Sequence, residues 1–187
     1  MEQIILASGS PRRKELLQLL QIPFIIKVSD CDESVSDALT PEEIVMELSK
    51  RKARAVQTRG QKELIIGSDT IVVINNNILN KPKDENEAYG MLKKLSNSTH
   101  SVFTGVTILT DEKEQTFYEE TRVTFYELTD EEIWAYIRTN EPFDKAGAYG
   151  IQGYGATLVK SIEGQYTTVV GLPIARLKKE LDVILKK

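Results

Sequence analysis

Eight residues near the N-terminus, Leu6-Ala7-Ser8-Gly9-Ser10-Pro11-Arg12-Arg13, constrain the fold more than any other stretch of the chain. The apolar run Ile4–Ala7 suits a buried strand, and Gly9 permits a sharp turn. Ser10 is a good N-cap, and Pro11 is the residue favoured at the first helical position. A strand must therefore hand over to a helix within a few residues, with the helix opening at Pro11. Free amides at such an opening attract anions, and Arg12 and Arg13 add two permanently charged, forked donors. Cations there oppose the helix macrodipole, so the pair is unfavourable unless an anion sits between guanidinium groups and amides. The corner is not a Walker A loop, since no Gly-Lys-Ser/Thr follows, and it has no G-x-G-x-x-G. Taken alone, it also reads as a capped turn with a solvated basic helix face.

Strand patterns at Ile4–Ala7, Phe24–Val28, Leu64–Ile74, Val102–Leu109, Phe117–Tyr126 and Thr157–Ile162 alternate with helical ones. Thr40-Pro41-Glu42-Glu43 is a capping box with proline at N1, followed by Ile44, Val45, Leu48 and Ala55 near helical period. Thr129-Asp130-Glu131-Glu132 opens a second helix through Ile133, Trp134 and Ile137, while Asp84–Leu95 and Pro173–Leu185 supply two more. Val102–Tyr126 reads as a hairpin about Asp111-Glu112-Lys113-Glu114, so the class is α/β with a mixed rather than a purely parallel sheet. No linker, repeat or composition break divides the chain, and residues 1–187 are expected to form a single domain, with one or two lobes. A chain of this size buries about 70% of its unfolded surface and needs no covalent staple.

Charge narrows the partners. With 24 Lys+Arg against 28 Asp+Glu the net charge is −4, which disfavours nucleic acid and membrane surfaces and favours a small ligand in a local basic pocket. No apolar run approaches the ~20 residues of a bilayer span, and no signal-peptide pattern opens the chain. One cysteine, Cys31, excludes an internal disulfide and suits a reducing compartment, so a cytoplasmic protein is expected. With His100 the lone histidine, a His/Cys zinc site is disfavoured. Any metal should be a hard cation held by carboxylates, phosphates and water.

Three further features carry chemistry. The apolar strand Leu64-Ile65-Ile66-Gly67 ends in Ser68-Asp69-Thr70, which would put Asp69 at the sheet rim, where ligands of open α/β sheets bind. There it could take a proton from water or hold a cation, or serve merely as a turn residue. Asp30, Asp32 and Glu33 follow the Phe24–Val28 strand as a second acidic position, and Lys52, Lys81 and Lys145 are candidate phosphate contacts. In Asp144–Gly155, four glycines fall among small and aromatic residues. Such a backbone can approach a ligand closely, with Gln152 offering a donor and an acceptor to a base edge and Tyr149 or Tyr154 a stacking face. It also reads as a glycine-rich turn before a strand.

In order and spacing, Ser8-Gly9-Ser10-Pro11-Arg12-Arg13, Gly67-Ser68-Asp69-Thr70, Lys81-Pro82 and Asp144–Gly153 resemble the Maf family over nearly the whole chain. The resemblance implies a two-lobed, mixed, twisted sheet flanked by helices with a nucleotide cleft, related to inosine triphosphatases. It also implies nucleoside triphosphate pyrophosphatase activity, dependence on Mg²⁺ or Mn²⁺, a homodimer and a link to septum formation, for whose inhibition the family is named. Residue by residue, it makes Asp69 the catalytic proton acceptor and a metal ligand with Glu33. Ser8, Arg12, Arg13, Lys52, Thr70, Lys81 and Gln152 become substrate contacts. Arg12, Thr70 and Gln152 resemble the dTTP/UTP branch, whereas the 7-methyl-GTP branch has Trp, Gln and Glu there. Ser68 stands where many members have Ala. The expected reaction is hydrolysis of dTTP, UTP and modified pyrimidine triphosphates to monophosphate and pyrophosphate. Two rivals use the same residues: a regulator that binds a triphosphate without turnover, and a hydrolase of purine triphosphates such as ITP.

Overall fold

The computed structural model describes residues 3–58 and 62–185. In chain order, the elements are β1 (Gln3–Leu6), α1 (Pro11–Gln18), β2 (Ile25–Ile26), α2 (Pro41–Ala55), β3 (Glu63–Ile74), β4 (Asn77–Leu79), α3 (Glu85–Leu95), β5 (Thr99–Leu109), β6 (Glu114–Phe125), α4 (Asp130–Ile137), β7 (Val159–Glu163), α5 (Tyr166–Val170) and α6 (Ile174–Leu185). Three short 3₁₀ turns, Glu141–Asp144, Ala146–Ala148 and Gly153–Leu158, fill the stretch between α4 and β7. The strands hydrogen-bond in the order β2-β1-β3-β5-β6-β7, with β4 on β3. Because β1 pairs parallel with β2 and β3, while β3–β4 and β6–β7 are antiparallel, the sheet is mixed, as the alternation and hairpin patterns imply.

The chain divides into two compact units, and β3, β5 and β6 each contribute a portion to both. The first comprises Met1–Asp69, Thr104–Glu119 and Gly171–Lys187; the second comprises Thr70–Phe103 and Glu120–Val170.

In the first unit, Ile5, Ala7, Ile65, Leu109 and Ala53 form a buried cluster between strands and α2. The capping box of α2 is complete: the Thr40 hydroxyl accepts from the Glu43 amide, and the Glu43 carboxylate accepts from the Thr40 amide. Its buried face runs through Ile44, Val45, Leu48, Ser49 and Ala53, leaving Ala55, which the period suggested as part of that face, exposed. Gly67 is what brings α2 close. A Cβ there would overlap the Ser49 carbonyl oxygen and stand 2.8 Å from the Ala53 amide nitrogen.

In the second unit, a larger core of Val72, Leu92, Leu95, Phe125, Ile133 and Ile137 seats α3 and α4 on the strands. His100 and Tyr149 are buried within it. His100 Nε2 and the Tyr149 hydroxyl are 2.7 Å apart, and Phe125 meets both rings edge-on.

Several elements differ from their sequence patterns. The Phe24–Val28 run shrinks to the two-residue strand β2, which among the described residues pairs only with β1 and leaves Ile25 and Ile26 partly exposed. The Leu64–Ile74 run continues into a tight hairpin with β4, because Asn75 and Asn76 both adopt positive φ, 49° and 62°. Thr157 belongs to a 3₁₀ turn, so β7 begins only at Val159. Helix α5 has no counterpart among the sequence patterns.

Two outcomes follow from this packing. Gly67→Ala should destabilise the protein by about 3 kcal/mol in urea unfolding, since helix backbone, not a pliable side chain, must yield. Burial lowers the His100 pKa from 6.5 to about 4. The unfolded chain therefore binds the proton first on acidification, and His100 contributes stability that is lost as pH falls from about 6.5 toward 4. Between pH 7 and pH 4, wild type should lose about 3 kcal/mol more than His100→Gln, read by parallel urea titrations.

Candidate active site

The first unit builds a charged constellation on the strand-to-helix corner. Ser10 caps α1 by accepting the Arg13 amide at 3.5 Å, with Pro11 in the first turn, as the sequence implies. The buried Ser8 hydroxyl accepts from the Ser10 amide and from Arg13 Nη1, each at 3.3 Å. Arg13 Nε donates to the Gly171 carbonyl at 2.8 Å, and Ser68 Oγ donates to the same oxygen at 3.1 Å. One carbonyl thus ties α1, β3 and the segment before α6 together. No sequence signal marked it, because a main-chain oxygen is independent of residue type.

Burial pushes the Arg13 guanidinium below its ordinary pKa; Asp69 resists that shift, Arg12 adds to it and Glu33 resists it. The group stays charged throughout the accessible pH range. The adverse placement of two cations at a helix start is thus offset partly by the protein's own carboxylates.

Asp69 and Lys52 form the centre. Lys52, in the last turn of α2, places Nζ 2.5 Å from Asp69 Oδ1 and 2.9 Å from Glu33 Oε1. Asp69 is 7% exposed, whereas the Glu33 side chain is 61% exposed. Burial works against a charge on Lys52, but Asp69 outweighs it, with help from Glu33, and holds the ammonium above its ordinary pKa. Lys52 is therefore a fixed cation and no proton acceptor at neutral pH.

Asp69 does not stand at a strand end, as its polar neighbours suggested. β3 runs through it from Glu63 to Ile74, and the carboxylate is retained inside the ladder because Lys52 neutralises it. Of the acidic run after β2, Glu33 alone reaches Lys52; Asp32 instead accepts from the Ser34 amide and hydroxyl in a local turn, and Asp30 is exposed.

No group of three or more His, Cys, Asp or Glu residues suited to a metal occurs among the described residues. Asp69 and Glu33 nonetheless converge on one cationic point. Two hard oxygen ligands fit a Mg²⁺-type ion, which commonly uses one or two carboxylates with phosphate and water.

The remaining expected contacts lie in the second unit. Thr70 follows Asp69 on β3 and is half-buried, Lys81 is exposed before the buried Pro82, and Gln152 is the half-buried N-cap of the Gly153–Leu158 turn. The glycine-rich segment packs on the protein itself. Gly153 adopts φ +62°, and a Cβ there would lie 2.9 Å from both Glu141 carboxylate oxygens. Tyr149 is committed to the core with His100, so it cannot stack on a ligand ring, whereas Tyr154 is exposed. Lys145 Nζ donates to the Glu141 carbonyl and to Asp144, each at 2.7 Å, and so is held locally.

An α/β chain with arginines at a capped helix start and a buried, lysine-paired carboxylate beside them is suited to hold an anionic ligand next to a proton acceptor. The Maf-like protein family profile matches residues 3–184, and the chain belongs to that family. It is 55% identical over 181 residues to a Bacillus cereus protein named dTTP/UTP pyrophosphatase, covering 97% of this chain and 95% of the relative. Proteins of the same name from Bacillus cytotoxicus and Bacillus mycoides are 55% and 54% identical, with the same coverage.

The corner separates two kinds of substitution. Arg13→Lys cannot reach Gly171 and Ser8 with one fork, and should raise the KM for a triphosphate by about tenfold or more. Ser68→Ala removes one donor to a carbonyl that Arg13 still satisfies, and should cost about 1 kcal/mol of stability with KM nearly unchanged. Steady-state kinetics beside urea unfolding checks both.

Proposed function

We propose that this protein hydrolyses dTTP, UTP and modified pyrimidine nucleoside triphosphates to the monophosphate and pyrophosphate. The observation that carries the reading is the Glu33–Lys52–Asp69 chain, a buried carboxylate oriented by a fixed ammonium in the unit that also holds Arg12 and Arg13. The names of relatives 55% identical over nearly the full chain support the same chemistry.

Water attacks the α-phosphorus, the bond between that phosphorus and the bridging oxygen to the β-phosphate breaks, and pyrophosphate leaves. Asp69 takes the proton from the attacking water. Lys52 orients Asp69 through Oδ1, so the carboxylate cannot rotate freely. Arg12, Arg13 and the amides of α1 bind phosphate oxygens, with Ser8 and the Gly171 carbonyl holding the Arg13 fork in position. A divalent cation, for which Glu33 and Asp69 are the ligands in this reading, supplies charge neutralisation to the phosphates when bound. Lys81 adds a phosphate contact, and Thr70 and Gln152 read the pyrimidine edge. A homodimer, a cytoplasmic setting and Mg²⁺ or Mn²⁺ as the ion belong to the same reading on family resemblance.

Pyrophosphate release across canonical and modified triphosphates, with Mg²⁺ or Mn²⁺, tests the proposal. Release should favour dTTP and UTP, and Asp69→Asn should lower kcat by about 10²–10⁴-fold in folded protein. Stoichiometric binding without release would point to a regulator, and equal turnover of ATP and GTP would contradict pyrimidine selection.

A further inference from the structure

In the second unit, the chain on both sides of Gln152 is anchored to one side-chain pair. Glu141 opens the first 3₁₀ turn, and its Oε2 accepts the Tyr154 amide at 2.9 Å. Gly153 lies against the same carboxylate, close enough that any Cβ would collide with it. The Tyr136 hydroxyl accepts the Gly150 amide at 3.1 Å, and burial, with the charge of the nearby Glu141 carboxylate, holds that hydroxyl protonated. Lys145 Nζ braces the turn from its other side by donating to the Glu141 carbonyl at 2.7 Å. Gln152 itself is extended, at φ −96° and ψ 169°, and its side chain makes no capping bond to the turn that follows. Its backbone is therefore held two residues before and two residues after, while its amide is not engaged in capping.

A carboxylate suits this hub better than any neutral group. It carries two acceptor oxygens and no donor, so it accepts the Tyr154 amide with one oxygen and keeps the other for the Tyr136 side of the turn. Charge strengthens the bond to the Tyr154 amide, and a reading group is selective only if its supporting shell keeps it within a fraction of an ångström.

We propose that Glu141, with Tyr136 as its relay, is the positioning residue for Gln152 and thereby sets base preference. This rests on the proposed role of Gln152 in reading the pyrimidine. Glu141 touches no reacting atom in this scheme, so its loss should appear in KM for the preferred base and leave kcat alone.

The test compares kcat and KM for dTTP and dGTP in wild type, Glu141→Ala, Glu141→Gln, Gln152→Ala and the Glu141→Ala/Gln152→Ala double variant, with melting temperatures recorded. Glu141→Ala should reduce the dTTP-over-dGTP preference about tenfold through KM, with dTTP kcat within about twofold of wild type. Glu141→Gln keeps one acceptor oxygen and should restore most of the preference. The double variant should match Gln152→Ala alone, because the first residue acts through the second. Additive losses, an unchanged preference in Glu141→Ala, or a uniform fall of kcat for both substrates would overturn the proposal. If Gln152→Ala loses the preference and Glu141→Ala keeps it, this proposal alone fails. If Gln152→Ala keeps the preference, base reading by Gln152 fails and this proposal with it. Should Glu141→Ala not fold, Glu141→Gln carries the comparison: a preference and KM equal to wild type would then overturn the proposal, and a partial loss confined to KM would support it.

Discussion

The structure of the first unit turns on keeping an ionised carboxylate inside a strand. Taking a carboxylate out of water costs several kcal/mol unless a counter-charge and hydrogen bonds replace the lost solvation. Lys52 provides both at 2.5 Å from Asp69, and it can do so only because α2 lies close on β3 at Gly67. Three residues therefore share one constraint: a glycine two positions before Asp69, a lysine next to Ala53 on the helix, and the aspartate. A well-packed apolar pair would hold helix and strand at least as firmly. What the ion pair supplies instead is a charged oxygen of defined orientation, which packing alone cannot give.

How much of this was legible in the chain depended on the range of the interactions. The helix starts at Ser10-Pro11, Thr40-Pro41 and Thr129 are legible because a cap is decided within four residues. The triplet Ser68-Asp69-Thr70 reads as a strand end from its polarity alone, since local polarity there looks like exposure, yet β3 runs through it. Its first two members are buried by distant partners: Ser68 by the Gly171 carbonyl, 103 residues away, and Asp69 by Lys52, 17 residues away. Strand β4 was hidden for a different reason. Asn75-Asn76-Asn77 after the apolar run looks like a plain turn in the sequence, although two successive positive-φ residues are also what a tight hairpin requires.

In the glycine-rich segment, the turn reading describes the glycines themselves. Its composition indicates that backbone approaches something closely, a ligand or the chain's own turn. The neighbour at Gly153 is the chain's own Glu141 carboxylate. Close approach is a statement about space, and a side chain fills space as a ligand does. Tyr149 makes the same point. Its hydroxyl is met by His100 and its ring by Phe125, so an aromatic beside glycines became core. Gln152 in this segment makes no side-chain capping bond.

The proposed division of chemistry between charged and neutral groups follows from the substrate class. A triphosphate tail is common to every nucleoside triphosphate, so in the proposed scheme Arg12, Arg13 and a divalent ion would contribute affinity and transition-state stabilisation without distinguishing one base from another. Discrimination needs groups whose cost of mismatch is high and whose long-range field is weak. Hydroxyl and amide side chains meet that description, since a buried donor left unpaired costs about 1–3 kcal/mol, whereas an ammonium tolerates almost any oxygen at any angle. The price of using a neutral reader is that its geometry must be imposed from outside, because no strong field aligns it. Thr70 inherits its position from the strand that carries Asp69. Gln152 lies on irregular chain with no ladder to hold it, and the Glu141–Tyr136 anchor supplies there the constraint that a strand supplies elsewhere.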